Sequence, residues 1–203
     1  QYHNNCSGKH SGFLTLSHHL GAGPEYIDPA HPVQILAKEA FQSMTETSDL
    51  GYAIDGCSAP NFATTVHGLS RAMSKMANSK SSTVRGKAAV RLVDAMVKHP
   101  DLVAGEGRAC TELMMAMEGK VAVKTGAEGV FIAILPEKGI GLSLKITDGT
   151  TRAAESAITG LLVKYGALDS KHPIAQKHLN GPIVNWRGVI TGGIKLSESF
   201  TSI

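Results

Sequence analysis

The run Val121–Ile146, VAVKTGAEGVFIAILPEKGIGLSLKI, sets the architecture. Residues 121–125 have the β-branched, apolar character of a strand, and Gly126-Ala127-Glu128-Gly129 reads as a turn. Val130–Leu135 follows as a buried strand, Pro136–Gly139 as a hairpin turn, and Ile140–Ile146 as a third strand. Strands joined by such short turns pair antiparallel. Asp148 or Thr150 then caps a helix from Thr151 to about Tyr165, and Gly166 stops it.

Upstream the pattern turns helical. Residues 8–20 predict a helix behind a glycine turn, with Phe13, Leu14, Leu16 and Leu20 on its apolar side. Pro32 opens a second helix to about Thr45. Residues 51–54 read as a short strand that ends in Asp55-Gly56-Cys57. Pro60 and Asn61 start a third helix through Met76. A fourth runs from about Val84 to Val97, closed by His99-Pro100, and a short fifth spans Thr111–Glu118. The tail, Gly188–Leu196, is one more strand candidate. The order predicts one α+β domain over residues 1–203: a helical block over about 8–118, then antiparallel strands and a C-terminal helix over about 119–200.

Composition bounds the function. Hydrophobic residues at 42% and charged residues at 18% are ordinary for a globular protein and argue against disorder. No apolar run approaches the roughly 20 residues of a membrane span, so no membrane partner is expected. The net charge of +3 is scattered, and aromatics are only 5%, so no nucleic-acid partner is expected either. Cys6, Cys57 and Cys110 are odd in number and widely spaced, unlike a secreted disulfide framework, which favours a reducing, cytoplasmic setting.

Lys124-Thr125-Gly126 is a lysine, a small hydroxyl residue and a glycine on the first strand of the β-β-β-α run. That triplet is the third signature of penicillin-binding proteins and β-lactamases. The ammonium can hold an anionic substrate or, deprotonated, serve as base to a serine; the glycine admits a ligand to the backbone. Cys6-Ser7-Gly8-Lys9-His10 places a thiol three residues before a lysine, which can bind a metal only if its proton is driven off; otherwise Cys6 and Cys57 are small buried residues. Asp55-Gly56 is either a plain turn or a carboxylate held at a strand end, available to a substrate ammonium group. Glu128 is a turn acid that can line the same cleft. Cys110, His18, His19, His67, His99, Met114, Met115 and Met117 read as packing or surface.

Three words in order, HNNCSGKHSGFL at 3–14, DGCSAPNFA at 55–63 and KTGAEGVF at 124–131, resemble the L-asparaginase II family also found in rhizobia, from Gln1 to about Leu196. The resemblance implies a fold like that of serine β-lactamases and glutaminases, and hydrolysis of L-asparagine to L-aspartate and ammonia through a serine. It implies a metal, usually zinc, held by Cys6, Lys9 and Cys57, with Lys124 as the lysine paired with the catalytic serine. Asp55 would take the substrate's α-ammonium, His10 would contact substrate or order the site, and Gly126, Ala127 and Glu128 would line the cleft. It also implies a homodimer.

One departure stands out. The first signature of that fold is Ser-x-x-Lys, which supplies the nucleophile. No lysine in the chain has a serine three residues before it. The expectation is a chain incomplete at its N-terminus, a piece of a longer protein or a degenerate gene product, whose sheet lacks partner strands. Two other readings stay open: an inactive remnant that binds metal or an amino acid, and a β-lactamase-like or glutaminase-like amidohydrolase.

Overall fold

The computed structural model describes residues 5–202. The His3-Asn4 opening of the first motif lies outside them.

The chain is α+β. Helices α1 (Asn5–Leu20) and α2 (Pro32–Thr45) lead into a hairpin of β1 (Tyr52–Ile54) and β2 (Pro60–Phe62). Helices α3 (Val66–Ala77), α4 (Val84–Lys98), α5 (Pro100–Ala104) and α6 (Ala109–Ala116) follow. A central sheet has the order β3 (Ala122–Thr125), β4 (Val130–Leu135), β5 (Ile140–Lys145), all antiparallel. Helix α7 (Thr151–Lys164), helix α8 (Pro173–Leu179), the hairpin β6 (Pro182–Val184)–β7 (Ile190–Gly193) and helix α9 (Glu198–Ser202) complete the described chain.

Both faces of the central sheet are buried. On one face Val123, Phe131, Ala133 and Leu135 meet Leu113 and Met114 of α6 and Ile158 and Leu162 of α7. On the other, Ala122 and Ile134 meet Ala77 of α3 and Val93 of α4, with Met73, Met76 and Met96 against them. This double burial explains the unbroken apolar run in β4. Gly141 lets α3 lie on β5 at backbone contact: a Cβ there would fall inside the van der Waals shell of Ser74 N.

Four readings from sequence are corrected. Helix α1 begins by Asn5, not at residue 8, so Cys6 is helical. The helix expected from Pro60 begins at Val66: Pro60–Phe62 instead pairs with β1, and Thr65 caps the new start by accepting Gly68 N at 2.9 Å. Pro100 does not merely end α4; it opens α5. The tail is a two-stranded hairpin, not one strand. Helix α8 was not anticipated; His172 caps it by accepting Ile174 N through Nδ1 at 3.2 Å, as His31 caps α2 at Val33 N.

Candidate functional site

Cys6, Lys9 and His10 stand at i, i+3 and i+4 of α1, which places them on one helix face. The β1–β2 turn supplies Asp55 and Cys57. Backbone bonds close that turn: Asp55 N donates to Ala59 O at 2.9 Å and Ser58 N to Asp55 O at 2.8 Å. Gly56 N donates to Asp55 Oδ1 at 2.7 Å and so fixes the carboxylate. Its other oxygen, Oδ2, accepts Lys9 Nζ at 2.7 Å and lies 3.7 Å from Cys57 Sγ.

This arrangement splits the two thiols. Burial opposes ionisation of Cys57, but donors from Lys9 and His10 and the Ala59 backbone outweigh it and bring the thiol down to about 7. Burial and the adjacent Cys57 push Cys6 the other way. Burial also works against the Lys9 ammonium, yet its hydrogen bonds to Asp55 and Cys57 hold it above the usual lysine range. The Lys9 and Gly56 donors keep Asp55 below the usual carboxylate range.

His10 is set by a residue the sequence reading passed over. Its Nδ1 lies 2.9 Å from the Tyr26 hydroxyl, and the two rings meet edge to face with centroids 5.5 Å apart. Its Nε2 is buried without a well-aligned hydrogen-bond partner, and the side chain acts on Cys57 to favour the thiolate.

Lys124 sits near the end of β3, half-buried, with Nζ donating to Thr125 O at 2.6 Å. Burial depresses it most; the thiols of Cys110 and Cys6 pull it back up, and Arg108 adds to the depression. The ammonium is therefore within electrostatic reach of Cys6, while its hydrogen bond goes to its own strand. Gly126, Ala127 and Glu128 form the exposed β3–β4 turn, closed by Gly126 N to Val130 O at 2.7 Å. Glu128 takes a φ of 56° and leans toward Gly149. The fold thus joins Cys6, Lys9, His10, Asp55 and Cys57 in one cluster. Lys124 is linked to it electrostatically through Cys6, and the 126–128 turn follows Lys124 at the end of β3.

Cys110 packs as expected at 1% exposure, and it also accepts Thr125 N at 3.2 Å, tying α6 to the edge of β3. Met114 and Met117 are core, Met115 is surface, and His18, His19, His67 and His99 are exposed.

A sequence model of the L-asparaginase II family matches residues 1–196. The chain belongs to the L-asparaginase II family. No curated protein matches it. For an L-asparaginase II chain, the donor set of this cluster suits a borderline-soft divalent ion: two sulfurs, one of them half ionised near neutral pH. Among the described residues no three His, Cys, Asp or Glu side chains converge to hold a metal. Lys9 could join the two sulfurs as a donor only if its ammonium, now bonded to Asp55, lost a proton.

Proposed function

We propose that this chain carries the lysine- and metal-bearing side of an L-asparagine amidohydrolase site, which converts L-asparagine and water to L-aspartate and ammonia. The observation that carries the reading is the meeting of Cys6, Lys9, Asp55 and Cys57 on α1 and the β1–β2 turn, with Lys124 on the sheet in electrostatic reach of Cys6. A serine outside these 203 residues is the assigned nucleophile, since none here precedes a lysine by three.

Lys124 in its neutral form takes the serine proton as the oxygen attacks the side-chain amide carbon. Its burial, which depresses the ammonium, favours that neutral form. Ammonia leaves with a proton returned through the same amine, and water then cleaves the ester to aspartate. Asp55 is the acceptor for the substrate's α-ammonium and must share Oδ2 with Lys9, while His10, held by Tyr26, shapes the pocket wall. Gly126, Ala127 and Glu128 line its rim. Zinc on Cys6, Lys9 and Cys57 supplies fixed positive charge that orders the β1–β2 turn against α1. A homodimer in the cytoplasm completes the proposal; the odd count and wide spacing of the cysteines support a reducing compartment.

The test is ammonia release from L-asparagine, measured on the 203 residues alone and on the chain with any upstream segment its gene encodes. Lys124→Met is expected to lower turnover by about 10²–10⁴-fold with the fold intact by circular dichroism. Near-normal turnover by that variant overturns the assignment. L-glutamine and a chromogenic β-lactam run in parallel decide between asparaginase and a related amidohydrolase. The absence of Ser-x-x-Lys favours one second reading, a remnant that binds metal or amino acid; it requires asparagine binding by calorimetry with no ammonia from either form.

A further inference from the structure

A concavity of about 320 Å³ lies between the C-terminal ends of α2 and α3 and the start of α4. None of its lining residues belongs to the Cys/Lys cluster. Among the described residues three cationic side chains line it, Lys75, Lys80 and Arg85, and no carboxylate does. The hydroxyls of Ser43, Ser82 and Thr83 face the same space.

Two of the cations are fixed before any ligand arrives. Lys75 Nζ donates to Ser43 O and Arg85 Nη1 to Ser43 Oγ, each at 2.7 Å, so one serine anchors both charges. Glu46, outside the lining, takes a second Lys75 donor at 2.8 Å, but it is shared with Arg71 at 3.3 Å and neutralises at most one of the two. Arg85 keeps four of its five N–H donors for other partners, Lys75 keeps one, and the Lys80 ammonium adds three. The floor is built tight. Gly86 is buried, and a Cβ there would collide with Lys80 O, so the 78–83 loop lies directly on the first turn of α4. That turn carries no acidic residue, and its start adds positive potential.

Glu46 answers Lys75, but Lys80 and Arg85 have no carboxylate partner among the described residues, and this surplus of donors and charge calls for an acceptor-rich dianion. The volume is at the lower end for small-molecule sites, enough for an oxyanion and a few attached heavy atoms. Extended nucleic acid fits poorly: no aromatic side chain lines the space to stack a base. We propose that this groove binds the phosphoryl group of a small phosphorylated metabolite, with Lys75, Lys80 and Arg85 as its electrostatic clamp.

The test is calorimetry and thermal denaturation of the whole chain at fixed ionic strength, with inorganic phosphate, glycerol 3-phosphate and a short single-stranded oligonucleotide as probes. Glycerol 3-phosphate is expected to bind and raise the melting temperature, with phosphate weaker. The double variant Lys80→Gln/Arg85→Gln is expected to lose at least about tenfold in affinity. Both residues are exposed, so the variant folds. Arg91→Gln, an exposed charge on the same helix, is expected to keep wild-type affinity. The proposal fails if neither phosphate compound binds, if the double variant binds as well as wild type, or if Arg91→Gln weakens binding as much as the pair. It also fails if the oligonucleotide outcompetes glycerol 3-phosphate, which marks a polyanion surface.

Discussion

At Asp55 one carboxylate serves three donors: Gly56 N on Oδ1, and Lys9 Nζ and Cys57 Sγ on Oδ2. Lys9 and Asp55 are each about a third exposed, at 33% and 35%. Solvent screening at that exposure holds the pair below about 1 kcal/mol, so its value is positional. Asp55→Asn is expected to shift the urea midpoint little while amide exchange across Asn5–Leu20 accelerates, because the Lys9 bond is one of few holding that helix. Unchanged exchange in α1 would remove Asp55 as its anchor. These residues were legible in the sequence only through a family likeness. Nothing in their spacing joins Cys6 to Cys57, and Asp55-Gly56 reads equally well as a bare turn. The structure shows a turn whose acid is engaged by Lys9. Tyr26 gave no signal at all, lying in the irregular GAGPEYIDPA loop, and Cys110 looked like packing until its sulfur was found on Thr125 N.

Elements were readable where burial imposes a period, and unreadable where it does not. The β3–β4–β5 run stands at its expected limits within a residue or two because alternate side chains enter two cores. The β1–β2 and β6–β7 strands are mostly exposed, so no buried face marks them. Pro60 then looked like a helix start, when it occupies the first position of β2 opposite Ile54. The α3–β5 contact was also invisible, since it depends on a missing side chain. Gly141→Ala must push Ser74 and Met73 away from β5, and is expected to cost about 1–3 kcal/mol, or more if α3 cannot shift. Ser143→Ala, one pleat along, removes only the 2.6 Å bond to Val66 O and is expected to cost about 0.5–1.5 kcal/mol. Urea unfolding of the two variants ranks them; a harmless Gly141→Ala contradicts backbone-level packing of α3.

Over the whole molecule, stability and the candidate site are separable. The two cores draw on α3, α4, α6, α7, α8 and the central sheet, and among the described residues none of α1 enters either. Helix α1 carries Cys6 and Lys9, two of the three proposed metal donors, yet it is held by polar contacts: Lys9 to Asp55, His10 to Tyr26, and Ser17 Oγ to Gly23 O at 2.6 Å. A ligand that bridges α1 and the β1–β2 turn therefore acts outside both cores. A ligand that binds only the folded form stabilises by mass action, about 2.7 kcal/mol at a hundredfold excess over Kd. If zinc takes Cys6, Lys9 and Cys57, that stabilisation enters through α1 and the turn. Zinc is then expected to slow amide exchange in residues 5–20 and 52–62 far more than in β3–β5, with reversal by a chelator. Cys57→Ser is expected to abolish the protection, and Cys110→Ser, outside the donor set, to preserve it. Protection spread evenly over the sheet, or surviving Cys57→Ser, would mean that zinc binds elsewhere and that α1 and the turn are joined only by the chain's own side chains.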